Sequence, residues 1–202
     1  MSLTLGLAIL ASYLVGAIPT SYWVVRLARG VDLRTVGSGN LGATNLYRFL
    51  GWKYAIPVGL FDMLKGTFPV VVLAPWAGSS PLGAMGLGLL AVLGHVYSPF
   101  VGFKGGKGVA TGGGVILGVA PWAFLVSLVA WIAVVRLSGY VSLGSMVAAC
   151  LLPASTLILH PEVDGDVVAV IGAMAALVIW FHRSNLRRLA NGTENRFGRR
   201  AA

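Results

Sequence analysis

Residues 109–135 read VATGGGVILGVAPWAFLVSLVAWIAVV, the longest apolar stretch of the chain, with Pro121 near its middle. As one α-helix these 27 residues would be about 40 Å long, which exceeds the roughly 30 Å hydrocarbon core of a bilayer. Proline has no backbone N–H and disfavours a helical residue before it. We therefore predict two short spans, 109–120 and 122–135, that turn at Pro121. The alternative is a single long tilted span over 109–135.

Five further apolar runs cover residues 3–25, 54–73, 82–100, 141–159 and 167–181. Of the 202 residues, 57% are hydrophobic and only 10% are charged, whereas a soluble domain carries about 25% charged residues. A chain this short has no core large enough for that apolar surplus, but a bilayer can hold it. The composition predicts an all-α polytopic membrane protein in which residues 1–202 form a single domain.

The basic residues decide between the two interpretations of 109–135. Lys and Arg collect in residues 26–53, at 104–107, at Arg136 and in 183–200, while residues 75–81 carry no charge and 160–166 carry three acids. Loops rich in Lys and Arg lie on the cytoplasmic side. Only an extra crossing within 109–135 puts every basic segment there. We predict seven spans, two of them short, with the N-terminus outside and the C-terminus cytoplasmic. The net charge of +9 is then an orientation signal, and no soluble domain remains to present it to nucleic acid.

The first of three polar cytoplasmic segments, residues 35–48, reads TVGSGNLGATNLYR. Its glycines match G-x-G-x-x-G, but membrane helices rather than a strand flank it, so a dinucleotide site is rejected. Glycine-rich backbone exposes N–H groups that bind anions, and an arginine can donate two parallel hydrogen bonds to a phosphate. The alternative is a polar loop whose glycines only permit tight turns. The candidate binding residues are Ser38, Gly39, Asn40, Asn45 and Arg48.

The second segment, residues 94–111, reads GHVYSPFVGFKGGKGVAT. It is not a P-loop, because no glycine lies five residues before Gly106 and Gly108 stands where Ser or Thr would hold magnesium. Lysines among glycines just before the N-terminus of a helix can still bind anions, because the helix dipole adds to their positive charge. The alternative is that the lysines only mark a cytoplasmic loop. The candidates are Lys104, Gly105, Gly106, Lys107 and Thr111.

The third segment, residues 182–197, reads HRSNLRRLANGTENRF. His182 and Asn185 are three residues apart and share one helix face, where the last span meets the cytoplasm. Glu194 follows nine residues later. An ordinary basic juxtamembrane helix is the alternative, and it explains Arg187 and Arg188 better than it explains the His and Asn pair.

Several residues inside the spans call for structural interpretations. Asp62 and Lys65 are three apart and can pair; we expect them to support the site, with a direct role as the alternative. His95 is expected to be a hydrogen-bonded packing residue, and Cys150 a buried one that offers no nucleophile. Small-residue spacing predicts close helix packing at Gly108, Gly112, Gly114 and Gly118.

Taken together, SGNLGATN, GHVYSPF followed by KGGKGVAT, and HRSN followed by GTE resemble the bacterial acyl-phosphate:glycerol-3-phosphate acyltransferases. The resemblance covers essentially the whole chain, with the motifs in the family's order and spacing. It implies a seven-span enzyme of the bacterial inner membrane with a site facing the cytoplasm. Such an enzyme makes 1-acylglycerol 3-phosphate, or lysophosphatidic acid, from acyl phosphate rather than acyl-CoA, as the first step of phospholipid synthesis.

The resemblance also implies residue roles. It puts Ser38, Arg48 and Lys107 on substrate phosphate, and His182 and Asn185 on the glycerol end. Asn40 and Asn45 lie near them in the first motif, and Lys104, Thr111 and Glu194 match further family positions without a firm role. The three histidines fall on different segments, so we expect no metal site and no cofactor.

The expected chemistry is direct attack of the glycerol 1-hydroxyl on the acyl carbonyl, because phosphate is already a good leaving group. Lys107, Arg48 and backbone N–H groups would stabilise the developing charge, and the proton would pass to phosphate oxygens or to His182. No histidine has an aspartate five positions later, which argues against a His–Asp base. The rival hypothesis is a transporter of phosphate esters or lipids; a purely structural membrane protein explains the donor-rich loops less well.

Overall fold

The computed structural model describes residues 2–197, and these residues form helices and loops without a β-strand. The predicted all-α class is confirmed over this range, while Arg199 and Arg200 of the C-terminal basic segment lie outside the described residues. The helices are α1 (Leu3–Ala17), α2 (Thr20–Arg29), α3 (Ala43–Leu50), α4 (Trp52–Phe68), α5 (Ala74–Trp76), α6 (Pro81–Val96), α7 (Val109–Val119), α8 (Pro121–Ser138), α9 (Val141–Leu159), α10 (Gly165–Phe181) and α11 (Arg183–Ala190). A π-helical turn, Pro69–Leu73, joins α4 to α5, and 3-10 turns lie at Leu33–Thr35 and Pro99–Val101.

Four helical stretches within residues 2–197 are long and apolar enough to cross a membrane: Trp52–Trp76, Pro81–Val101, Pro121–Ser138 and Val141–Leu159. Two bent pairs, α1 with α2 and α10 with α11, pass the same test as broken spans and raise the number to six. The seventh predicted span corresponds to α7, which has 11 residues. A helix of that length falls short of the roughly 20 residues of a full crossing. The number seven and the orientation of the termini stay predictions.

The predicted break at Pro121 is confirmed, and the single helix over 109–135 is wrong. Helix α7 ends at Val119 and α8 begins at Pro121, with Ala120 at φ −139° and ψ 72° between them. Helix α8 is longer than the short span expected at 122–135. It begins at Pro121 and runs for 18 residues to Ser138. Arg136 does not end it, since arginine is a strong helix former. The helix ends where Gly139 adopts φ 78°.

A second break divides the first apolar run. Helices α1 and α2 meet at an angle of 40°, across Ile18 and Pro19, where the sequence shows one continuous run. Pro19 has no N–H to continue the helical ladder. Helix α2 then extends past the apolar residues to Arg29 and ends at Gly30, whose φ is 68°.

The chain divides near Gly118 into two compact units. In the first unit α1 packs against α6, where a Cβ at Gly16 would collide with the carbonyl oxygen of Ala91. Helix α4 meets α7 equally closely, because a Cβ at Gly114 would collide with the carbonyl oxygen of Met63. Thr67 Oγ1 also donates to the Gly114 carbonyl at 2.8 Å. The predicted packing role of Gly114 is therefore confirmed.

The second unit contains α8 to α11. Helix α8 packs against α9, where the Trp131 indole donates to Ser145 Oγ at 3.3 Å. At the opposite end of α9, His160 Nε2 accepts the Trp122 backbone N–H at 3.2 Å. The expectation that Cys150 is buried is wrong. Cys150 is exposed on α9, because no described helix covers its face.

Candidate active site

The first polar loop follows α2 and is held in shape by Asn45. This residue lies in the first turn of α3 and is 2% exposed. Its Oδ1 accepts the Ser38 N–H at 2.9 Å, and its Nδ2 donates to the carbonyls of Val36 at 3.0 Å and Leu33 at 3.3 Å. One carboxamide thus satisfies three backbone groups of the loop. Asn45 determines the loop's shape, and a contact with substrate stays a prediction.

Two glycines allow the loop to turn around Ser38. Gly37 and Gly39 have φ of +58° and +70°, in the left-handed region that side chains disfavour. A Cβ at Gly37 would also collide with the Asn45 Oδ1. Ser38 is exposed between them, and Gly39 and Asn40 are half-buried. Arg48 is half-buried on α3, one turn after Asn45 and on the same side of the helix.

The second polar loop lies against the end of α6. The N–H of Gly105 donates to the Val96 carbonyl at 2.9 Å, and that of Gly106 donates to the His95 carbonyl at 3.1 Å. A Cβ at Gly105 would collide with the same His95 oxygen. Gly108 has φ +76° just before α7. The loop therefore requires glycine at several positions and holds Lys104 exposed and Lys107 half-buried.

The two loops are joined within the first unit. Arg34 donates from Nη1 to the Val101 carbonyl at 3.0 Å and pairs with Asp32 at 2.6 Å. Because Arg34 donates to its carboxylate, the pKa of Asp32 lies below its ordinary value. Val101 also shares one buried hydrophobic cluster with Leu33 and Leu46. Sequence reasoning missed this link, because a contact between residues 67 positions apart leaves no local pattern.

Thr111 is fully buried in the first turn of α7. Its backbone carbonyl lies so close to α4 that a Cβ at Gly66 would collide with it. Its hydroxyl has no hydrogen-bond partner among the described residues. Thr111 therefore fixes α7 against α4 just after the second polar loop.

The third segment belongs to the second unit. His182 lies between α10 and α11, is 3% exposed, and is 2.7 Å from the Val178 carbonyl through Nδ1. In the neutral ring this contact assigns the proton to Nδ1, so Nε2 is the nitrogen that can accept a proton. Asn185 lies one turn further on and donates to Glu194 at 2.7 Å.

Glu194 organises the chain after α11. Its carboxylate accepts hydrogen bonds from Asn185, from Arg188 at 2.7 Å and from Ser142 at 2.9 Å, and its side chain is 5% exposed. Burial acts to raise the pKa of Glu194, but the three hydrogen bonds and the Arg188 charge outweigh burial and lower it. Glu194 thus orients Asn185, and its predicted contact with substrate stays a prediction. Sequence reasoning missed Ser142 because a single serine in a span carries no pattern.

The predicted pair of Asp62 and Lys65 is confirmed, with Lys65 Nζ 2.8 Å from Asp62 Oδ1 and both residues 2% exposed.

The first unit contains the candidates of the first two segments, and the second unit contains the rest. The first group is Ser38, Gly39, Asn40, Asn45, Arg48, Lys104, Gly105, Gly106, Lys107 and Thr111, and the second group is His182, Asn185 and Glu194.

The chain is similar in sequence and fold to known proteins. The family model described as glycerol-3-phosphate acyltransferase matches residues 6–192. Glycerol-3-phosphate acyltransferase 1 of Deinococcus radiodurans is 48% identical over 202 residues, which is all of both chains. Glycerol-3-phosphate acyltransferase of Geobacter sulfurreducens is 48% identical over 186 residues, or 92% of this chain and 94% of that one.

Two solved structures have the same fold. One is a crystal structure of PlsY, an integral membrane glycerol 3-phosphate acyltransferase, in its glycerol 3-phosphate form, with TM-score 0.88 and 39% identity over 96% of each chain. Its lysophosphatidic acid form gives TM-score 0.86 and 37% identity, over 96% of this chain and 95% of that one. The chain therefore belongs to the glycerol-3-phosphate acyltransferase family.

Proposed function

We propose that the chain transfers a fatty acyl group from acyl phosphate to the 1-hydroxyl of sn-glycerol 3-phosphate, giving 1-acyl-sn-glycerol 3-phosphate and inorganic phosphate. Family membership supports an acyltransferase that acts on glycerol 3-phosphate. The observation that carries the proposal is the joining of the two donor-rich loops by Arg34 and the Val101 cluster. Two anion-binding loops in one unit suit a reaction in which both substrates carry phosphate.

In this proposal Ser38, Arg48 and Lys107 hold substrate phosphate. Gly39, Gly105 and Gly106 act by shaping the backbone of the two loops. Their own N–H groups already donate to the Val36, Val96 and His95 carbonyls. Asn40, Lys104 and Thr111 complete the binding site. A lysine acts as a point charge and an arginine as a planar fork, so Lys107 and Arg48 are proposed as the main electrostatic contributors.

The proposed chemical step is direct. The glycerol 1-hydroxyl oxygen attacks the acyl carbon, the bond from that carbon to the phosphate oxygen breaks, and phosphate leaves with the bonding pair. The hydroxyl proton passes to a phosphate oxygen of the donor or to His182 Nε2, which the Val178 contact leaves as the proton acceptor. Asn185 would bind the glycerol end, with Glu194 holding it in place.

No covalent acyl-enzyme is needed in this scheme. Acyl phosphate is already activated, so positioning and charge stabilisation supply the rate enhancement. Cys150 fits this proposal, because it lies on an exposed face of α9 in the second unit rather than on a polar loop. No metal or cofactor enters the scheme.

We further propose one membrane domain over residues 1–202 in the bacterial inner membrane, with the polar loops facing the cytoplasm. The distribution of Lys and Arg supports this orientation. Six candidate spans, counting each bent pair as one, together with the short helix α7 make up the seven proposed spans. In this location the reaction would be the first step of phospholipid synthesis.

The test is acyl transfer to labelled glycerol 3-phosphate by purified protein in detergent, without added metal. Palmitoyl phosphate and palmitoyl-CoA are offered as alternative donors. Lysophosphatidic acid formed from palmitoyl phosphate alone is the expected result. Absence of product from either donor, in protein shown to be folded, would refute the proposal and favour a transporter, which liposome flux measurements would detect.

A further inference from the structure

A buried ionisable network lies beneath the second polar loop. Asp62 and Lys65 on α4 form a pair of 2.8 Å, and His95 on α6 lies with Nδ1 3.9 Å from Asp62 Oδ1. The side chain of His95 is 8% exposed. Ionisable groups at membrane depth are costly and are kept where they serve a function.

The network is anchored at the bend between α1 and α2. Lys65 Nζ donates to the Ile18 carbonyl at 2.9 Å, and Thr20 Oγ1 donates to Asp62 Oδ1 at 3.4 Å. Ile18 follows α1 and Thr20 begins α2. The Asp62 and Lys65 pair on α4 is therefore hydrogen-bonded to the bend between α1 and α2, and it also lies beside His95 on α6.

His95 connects this network to the loop through both its backbone and its ring. Its carbonyl accepts the Gly106 N–H at 3.1 Å. Its ring lies directly against Gly106, so that a Cβ there would collide with Nε2 and come within 3.0 Å of two ring carbons. Lys107 is the next residue in the chain, so a shift of Gly106 moves the backbone that carries Lys107.

Resting on the proposed function, we propose that His95 is a positioning residue: its ring, which lies between Asp62 and Gly106, supports Gly106 and sets the place of Lys107 for binding substrate phosphate. It acts through the loop and does not touch substrate. A smaller side chain leaves a gap beneath Gly106, and the neighbours of a buried gap shift to fill it in part. A misplacement of about 1 Å in a positioning group is enough to cost up to about 10²-fold in activity.

Two amide substitutions distinguish the side of the His95 ring that faces Gly106 from the side that faces Asp62. In His95→Gln the longer side chain brings its amide to the place of Nε2, beside Gly106. In His95→Asn the amide reaches only the place of Nδ1, facing Asp62. A matched control is His160→Asn, which makes the same change at a buried histidine of the second unit, 6% exposed and distant in sequence from the loops.

The measurements are the KM for glycerol 3-phosphate with palmitoyl phosphate as donor, and the protection by inorganic phosphate against thermal unfolding. We expect His95→Asn to raise the KM on the order of tenfold, His95→Gln to raise it less, and His160→Asn to leave it unchanged. His95→Asn should also lose phosphate protection. A KM within twofold of wild type for His95→Asn, or equal KM values for the two His95 variants, would overturn the inference.

A double variant tests whether His95 acts through Lys107. Adding His95→Asn to Lys107→Ala should weaken phosphate protection no further than Lys107→Ala alone, because coupled residues are not additive. Full additivity would overturn the inference. Phosphate protection does not depend on acyl transfer, so wild-type protein that binds phosphate without making product would refute the proposed function and leave the His95 comparison measurable.

Discussion

The Asn45→Ala substitution removes the carboxamide that holds the first polar loop. Three hydrogen bonds are lost, to the Ser38 N–H and to the Val36 and Leu33 carbonyls. At about 1 kcal/mol net for each neutral bond, the ordered loop loses about 3 kcal/mol. If the loop must reorder before phosphate binds, the apparent affinity for glycerol 3-phosphate falls by up to roughly 150-fold.

The assay combines steady-state kinetics with hydrogen exchange of the unliganded protein. Asn45→Ala should raise the KM for glycerol 3-phosphate and speed amide exchange at Ser38 and in the adjacent 3-10 turn, Leu33–Thr35. Exchange in α9 should not change and serves as the internal control. A raised KM with unchanged exchange in the loop would refute this reasoning, because it would mean that Asn45 only contacts substrate.

Lys107→Ala should lower kcat/KM by about 10²–10³-fold, as loss of one preorganised donor does, while His182→Ala should lose less; a Lys107→Ala variant with wild-type kcat/KM would contradict the electrostatic assignment. Because the pKa of Glu194 is lowered from its ordinary 4.5 in the folded protein, its stabilising contribution is complete above that value and is lost as the pH falls through the folded-state pKa. Glu194→Gln should therefore show a smaller loss of thermal stability on acidification than wild type, and an equal loss would refute the assignment. Gly66→Ala should destabilise by about 1–3 kcal/mol or more, since its Cβ would meet the Thr111 carbonyl, whereas Gly86→Ala, with open space around it, should not; equal thermal melting temperatures of the two variants would contradict the packing.

The features that could be predicted from sequence are those that depend on local patterns. Apolar runs give the helices, and Pro121 gives the end of α7, because a proline acts on the residue next to it. The i, i+3 spacing gives the pair of Asp62 and Lys65. Pro19 is the same kind of local signal for the bend after α1. The apolar run continues on both sides of Pro19, however, so the sequence pattern alone does not indicate a break there.

The features that could not be predicted depend on contacts between distant parts of the chain. Asn45 and Glu194 belong to polar motifs, and a polar side chain in a motif can bind substrate or hold a loop. Only the fold shows that Asn45 is directed at Leu33 and Val36, and that Ser142 donates to Glu194 across 52 positions. The link from Arg34 to Val101 spans 67 positions and has no periodic signature.

Direct transfer from acyl phosphate, without a covalent acyl-enzyme, is tested most directly by phosphate exchange. Purified protein is incubated with palmitoyl phosphate and radiolabelled inorganic phosphate without glycerol 3-phosphate, and label in the acyl phosphate is measured. Direct attack predicts no exchange in a preparation that makes lysophosphatidic acid once glycerol 3-phosphate is added. Label entering acyl phosphate before the acceptor is present would show a covalent acyl-enzyme and contradict the account.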